Sequence, residues 1–252
     1  MTPLMLSPGG SGWISERDPR LRILCALAFA LTTVGLTTPS AAITALLLAA
    51  SLTRAAGIRP GSLGRRLLAL EGFILVLLVT LPFTTPGAAI LHVGPLTASA
   101  EGIQLAALIL LKSNAVVLSL LALVGTLEAV ALGHALARLG VPEKLAHLFL
   151  MTVRQIHLMQ AELGRLRQAM RARAFMPRSD WHTWRSYGWL VGMLLVRSLE
   201  RAQRILAAMR CRGFDGRLYL LDSTRWETRD TIAAFGCAVL LSGLILLDRM
   251  SR

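Results

Sequence analysis

Ile23-Leu24-Cys25-Ala26-Leu27-Ala28-Phe29-Ala30-Leu31-Thr32-Thr33-Val34-Gly35-Leu36 leads into Thr37-Thr38-Pro39-Ser40, and no charged residue follows until Arg54. An uncharged run of this length is too long for one straight membrane crossing of about 20 residues and too short for two generous ones. The break at Thr37-Thr38-Pro39-Ser40 resolves the mismatch, because proline suits a helix start and not a helix interior. The stretch predicts a tight helical hairpin over residues 20–36 and 40–54. Its first arm is preceded by a basic segment, Arg17-Asp18-Pro19-Arg20-Leu21-Arg22, with Pro19 in the first turn.

The rest of the composition agrees. Hydrophobic residues make up 54% of the 252-residue chain, yet the formal net charge is +13, so very apolar and very basic segments coexist. They are segregated. Between Ile23 and Gly125 the only charged residues are Arg54, Arg59, Arg65, Arg66, Glu71, Glu101 and Lys112, whereas Thr126 to Asp230 holds 17 Lys/Arg against nine Asp/Glu. The pattern is that of a membrane protein with a long basic insertion. Residues 1–18 lack a cationic start followed by an apolar run and a cleavage site, so the first apolar segment is expected to stay as a span. Cys25, Cys211 and Cys237 are widely spaced, which argues against a disulfide framework or a cysteine metal site.

After the basic loop Arg54 to Arg66, a third span is predicted over about 67–83, with Glu71 near enough to its boundary to pair with Arg65 or Arg66. Residues 84–102 contain Pro86, Gly87, Gly94 and Pro95 and no Lys or Arg, and read as a loop. A fourth span, about 103–124, carries Lys112 near its middle. A lysine at that depth costs about 2.5–3.5 kcal/mol on insertion scales, so it must pair with Glu71, Glu101 or backbone carbonyls, or meet a partner membrane subunit. The arginine-rich loop after the second span and the arginine-free loop after the third set the orientation: N-terminus and basic insertion cytoplasmic, the latter followed by a last span at about 231–247. The prediction is an all-α, multi-pass protein of the inner cell membrane, with about five spans. Residues 1–125 form the N-terminal membrane region of about four spans, 126–230 a cytoplasmic Arg-rich helical domain, and 231–252 the last span and C-terminus.

Within the insertion a weak helix over 127–139 stops at Gly140, and Pro142 restarts a long helix that runs to Phe175. A second helix is expected over 186–212, after a polar turn over 178–184, with Trp181, Trp184 and Trp189 clustered as an aromatic belt would be. Both helices have apolar beginnings and basic ends, and both are read as emerging from the membrane region. Their ends nearly repeat: Ala169-Met170-Arg171-Ala172-Arg173-Ala174-Phe175 and Ala208-Met209-Arg210-Cys211-Arg212-Gly213-Phe214. Arginine near a helix C-terminus gains about 0.3–1 kcal/mol from the macrodipole, but that effect alone does not require two arginines one small residue apart, twice. A guanidinium keeps its charge and forks into a carboxylate with two hydrogen bonds. The flanking small residues would let the backbone settle against a partner surface. Two equivalent tips imply a partner with two equivalent grooves.

These residues resemble the transmembrane T component of the energy-coupling-factor (ECF) transporters, most closely the cobalt/nickel, CbiQ-like branch. The resemblance rests on Ala172-Arg173-Ala174 and Cys211-Arg212-Gly213. It extends to Asp18-Pro19-Arg20, the Val141-Pro142 junction and the single final span. It implies that 126–230 is a coupling domain whose two tips each engage one cytoplasmic ATPase subunit, with Arg171 and Arg210 in support. It further implies that a separate substrate-binding integral membrane protein, the S component, holds the cobalt or nickel ion. ATP and Mg then sit on the partner subunits, and this chain holds no cofactor and no metal. Two positions depart from the family pattern: Ala174 replaces a glycine, so the first helix is expected to run on towards Pro177, and Cys211 replaces an alanine of similar size.

The chain itself has no G-x-x-x-x-G-K-[ST] phosphate loop, and His92, His134, His147, His157 and His182 are scattered rather than spaced as ligands. An alternative reading makes the basic insertion a membrane-anchored module for anionic lipid or nucleic acid, although no nucleic-acid partner is expected on the first reading. An intramembrane enzyme using Glu71, Lys112 and a histidine would need those groups to converge, which nothing in their spacing suggests.

Overall fold

The computed structural model describes residues 17–58, 72, 76, 78, 80–85, 89–93, 96–214 and 227–251. Helix α1 (Pro19–Gly35) and helix α2 (Pro39–Ala55) form on either side of the break that the uncharged run predicts, but each packs on helices later in the chain and hardly on the other, so the tight hairpin is corrected to a splayed pair. Asp18 caps α1 by accepting from the Arg20 backbone N–H at 2.9 Å, with Pro19 in the first turn. The loop Arg59–Arg66, Glu71 and most of the third predicted span lie outside the described residues, although 72, 76, 78 and 80–84 are helical.

Residues 84–102, read as a loop, hold instead a short antiparallel hairpin of β1 (Ala89–Val93) and β2 (Leu96–Ser99), paired Leu91 to Ala98 and Val93 to Leu96. Ile90, Val93 and Thr97 favour strands, and Gly94-Pro95 between them favours a turn. This hairpin corrects the loop expectation for residues 84–102; the fold class is all-helical as expected, the remaining elements being helices among the described residues. Ser99 then caps α3 (Ala100–Leu123) by accepting from Gly102 N–H at 3.1 Å.

The chain divides into two compact units, Met1–Glu128 with Ser223–Arg252, and Ala129–Asp222. In the first, α1, α2, α3 and α7 (Thr228–Met250) pack through small residues. Ala41, Ala45 and Ala49 of α2 are at most 1% exposed and recur every fourth position, which makes one stripe; it packs with Ala115 and Leu118 of α3 and with Leu241 and Leu244 of α7. The large apolar side chains point the other way: Leu31 is 67% and Phe235 73% exposed. Small residues inside and leucines outside suit helices packed in lipid, where close backbone approach replaces a hydrophobic driving force. By length and composition α3 and α7 can each cross a membrane.

Polar contacts fix the directions. Asp18 N–H donates to Asp230 Oδ1 at the start of α7, and Thr37 and Thr38 N–H donate to Asp248 at its end, so α1 and α7 run parallel. Arg22, early in α1, bonds Thr126 just past α3, so α3 runs antiparallel to α1. Lys112 Nζ donates to the Val34 carbonyl at 3.1 Å, one of the α1 carbonyls that the helix leaves unpaired at its C-terminus. Of the alternatives open for Lys112, a backbone carbonyl is the one found among the described residues, which do not include Glu71. Cys25 and Cys237, distant in sequence, are in side-chain contact as free thiols.

Paired arginine tips as the candidate functional site

The second unit contains α4 (Ala129–Arg138), α5 (Glu143–Ala172) and α6 (Trp181–Cys211). Gly140, at φ +93°, closes α4 in the left-handed region that glycine enters without strain. Helix α6 starts five residues earlier than the sequence suggests, with Asp180 as N-cap, so Trp181 and Trp184 are helical and not part of a turn.

Both repeated heptapeptides end their helices in the same way. Ala174 N–H donates to Arg171 O at 3.0 Å and Phe175 N–H to Met170 O at 3.1 Å; Gly213 N–H donates to Arg210 O at 3.0 Å and Phe214 N–H to Met209 O at 3.1 Å. This is the Schellman arrangement, which satisfies two orphan carbonyls and calls for a left-handed residue just past the helix. Ala174, at φ +59°, and Gly213, at φ +77°, supply it. The expectation that α5 runs on towards Pro177 is therefore corrected: it stops at Ala172. Alanine in that conformation costs about 1–2 kcal/mol, offset by the two cap bonds and by the ring that follows.

That ring is the part the sequence reading passed over. Phe175 lies edge-on to Tyr187 with centroids 6.0 Å apart and 6.5 Å from His182, on the opening turns of α6. Phe214 lies 6.4 Å from His147, on the opening turns of α5. Each helix end is thus pinned by its phenylalanine to the beginning of the other helix. The final Phe in both heptapeptides was the available signal, since an apolar residue there packs back on the helix in a Schellman cap.

Halfway along, Glu162 of α5 is buried and ion-paired to Arg165 of its own helix and Arg197 of α6. Arg165 first, then Arg197, hold its carboxyl below the usual glutamate value by hydrogen bonding to the charged form. Contacts 147–214, 162–197 and 175–187 can only hold together if α5 and α6 are antiparallel. The picture of two helices emerging side by side is corrected accordingly. With 30 and 31 residues in the helices, the tips lie at opposite ends of a hairpin about 45 Å long.

The cap accounts for three positions in each copy, the half-buried Met, the small left-handed residue and the half-buried Phe. It makes no use of the arginine side chains. Arg171, Arg173, Arg210 and Arg212 are all exposed, as are Ala172 and Cys211 between them, and none of the four side chains has an ion pair among the described residues. The geometry presents two guanidinium groups at each end of a braced rod, on a backbone whose small neighbours leave room for a second surface. No three His, Cys, Asp or Glu side chains come together among the described residues.

Comparison with known proteins bears on this arrangement. The chain is 29% identical over 180 residues to the cobalt transport protein CbiQ of Rhodobacter capsulatus, covering 68% of this chain and 72% of that protein. Residues 10–220, which include both tips, match the family described as CbiQ, cobalt transport protein. On that match over most of its length, the chain belongs to the CbiQ family of cobalt transport proteins.

Proposed function

We propose that the chain is the energy-coupling membrane component of an ATP-driven, ECF-type uptake transporter for cobalt or nickel, and that it is not itself catalytic. The observation that carries this reading is the pair of identically capped tips, each offering exposed arginines at one end of the α5–α6 hairpin. Arg173 and Arg212 enter grooves on two cytoplasmic ATPase subunits, each forking into a carboxylate. Ala172, Ala174, Cys211 and Gly213 allow close approach, and Arg171 and Arg210 add charge at the rim.

ATP binding on the partners closes their dimer and brings the grooves together. The hairpin is braced at both ends by phenylalanine and at its middle by Glu162, so it transmits that motion as a lever and does not bend locally. The membrane helices then shift against a separate substrate-binding membrane protein that holds the metal ion. ATP and Mg belong to the ATPase subunits.

The test is co-purification from detergent with the neighbouring ATPase subunits, wild type against Arg173→Ala plus Arg212→Ala. Loss of the ATPase and of metal uptake is expected. ATPase binding together with uptake at the wild-type rate in the double variant overturns the assignment.

A further inference from the structure

A cavity of about 390 Å³ opens in the first unit among α1, α2, α3 and α7. Most of its wall is apolar. Arg22 and Arg229 line one end, in the first turns of α1 and α7, while Phe29, Leu240 and Leu244 line the rest. Because α1 and α7 run parallel, the two arginines lie together at one end and the apolar wall extends away from them. From Arg229 to Leu244 the lining covers about 22 Å along α7, comparable with the roughly 15 Å of one leaflet's hydrocarbon.

Arg22 is the unusual group. It is only 3% exposed, and one Nη donates to Thr126 Oγ1, but its Nε has no hydrogen-bond partner. The carboxylates at this end are held by other groups: Asp18 caps α1 and pairs with Arg20 through Oδ1, its buried Oδ2 having no hydrogen-bond partner, and Asp230 and Glu227 form the reciprocal cap of α7. None of them pairs with Arg22 among the described residues. A buried guanidinium without an anion is costly and calls for one.

We propose that this groove binds an anionic phospholipid, with its phosphate on Arg22 and Arg229 and an acyl chain along Phe29, Leu240 and Leu244. Charge at one end and apolar wall beyond match the two halves of such a lipid. A partner helix would fill the apolar length but leave Arg22 without an anion. The site is separate from the arginine tips, and its test involves no ATPase.

Gly236 supplies the clean variant. It lines the groove, and a Cβ built there meets nothing within 4 Å, so Gly236→Leu places its side chain at the groove with no clash at the Cβ and with better helix propensity. The full chain, stripped of lipid in detergent, would be titrated with phosphatidylglycerol, phosphatidylcholine of the same chains and inorganic phosphate. Retained lipid would be read by native mass spectrometry and the thermal midpoint by unfolding. Phosphatidylglycerol is expected to be retained and to raise the midpoint, with at least tenfold weaker binding in Gly236→Leu and in Arg229→Gln. Arg22→Gln is expected to lose the preference for phosphatidylglycerol over phosphatidylcholine. An equal response to the two lipids, a response to inorganic phosphate alone, or unchanged binding in Gly236→Leu overturns the proposal.

Discussion

Ala174 and Gly213 occupy the same left-handed conformation at the same step past their helices, with φ +59° and +77°, although only one of them is a glycine. The difference is open to measurement. Ala174→Gly relieves backbone strain and is expected to stabilise the chain by about 0.5–1 kcal/mol, and Gly213→Ala to destabilise it by about 1 kcal/mol. Thermal unfolding in detergent checks both signs. Equal and opposite shifts would show that the two caps are energetically the same device; no change in either would remove the Schellman cap as the reason for the small residue.

The elements of this fold were legible wherever a local rule decides them. Asp18-Pro19 and Thr38-Pro39 start α1 and α2, Gly140 and Pro142 separate α4 from α5, and Gly213 ends α6. Two features were not. The stop at Ala174 depends on Phe175 reaching Tyr187, a contact across the hairpin that no local propensity encodes. The antiparallel return of α6 depends on Glu162 meeting Arg197, 35 positions away, and an ion pair at that separation leaves no periodic trace in the sequence. The arginines of the site were visible because they repeat; their placement at opposite ends of a rod was not.

Asp248 joins the end of α7 to the turn between α1 and α2. Its carboxylate accepts from the backbone N–H groups of Thr37 and Thr38, at 2.8 and 2.9 Å, and from the Thr38 hydroxyl at 2.8 Å. Removing it leaves two donors without this acceptor at a helix start where Thr38 is buried and Thr37 is not, at a cost of about 1–3 kcal/mol. Asp248→Ala is expected to lower the thermal midpoint accordingly, and Asp248→Asn, which keeps an acceptor oxygen, to recover part of the loss. Equal midpoints for the two variants would show that the oxygen is not what matters.

Glu162 gives the hairpin a pH dependence. Its folded carboxyl is held below the ordinary value by Arg165 and Arg197, so its contribution is complete above the ordinary glutamate value of about 4.3 and is lost as pH falls through the lower folded value. Glu162→Gln is expected to unfold more readily than wild type at pH 7, with the gap closing under acid conditions below about pH 4. A gap that persists undiminished to pH 3 would mean that packing, not charge, carries the residue's effect.

Arginine against lysine separates the coupling reading from a purely electrostatic one. If the basic unit simply held phosphate, on lipid or nucleic acid, Arg173→Lys plus Arg212→Lys would keep its charge and its binding, and binding would fall steeply with salt. A carboxylate groove needs the planar fork, which lysine lacks. The double lysine variant is therefore expected to weaken ATPase association about tenfold or more, with a corresponding fall in metal uptake, while Arg171→Lys plus Arg210→Lys changes either only modestly. Because the tips sit at opposite ends of one rod, each single variant should leave one ATPase contact in place, so binding survives in part while coupling between the two subunits is lost. Pull-down stoichiometry and uptake, measured together for the singles and the double, decide it: singles that lose binding as completely as the double would mean that the tips do not act on separate grooves.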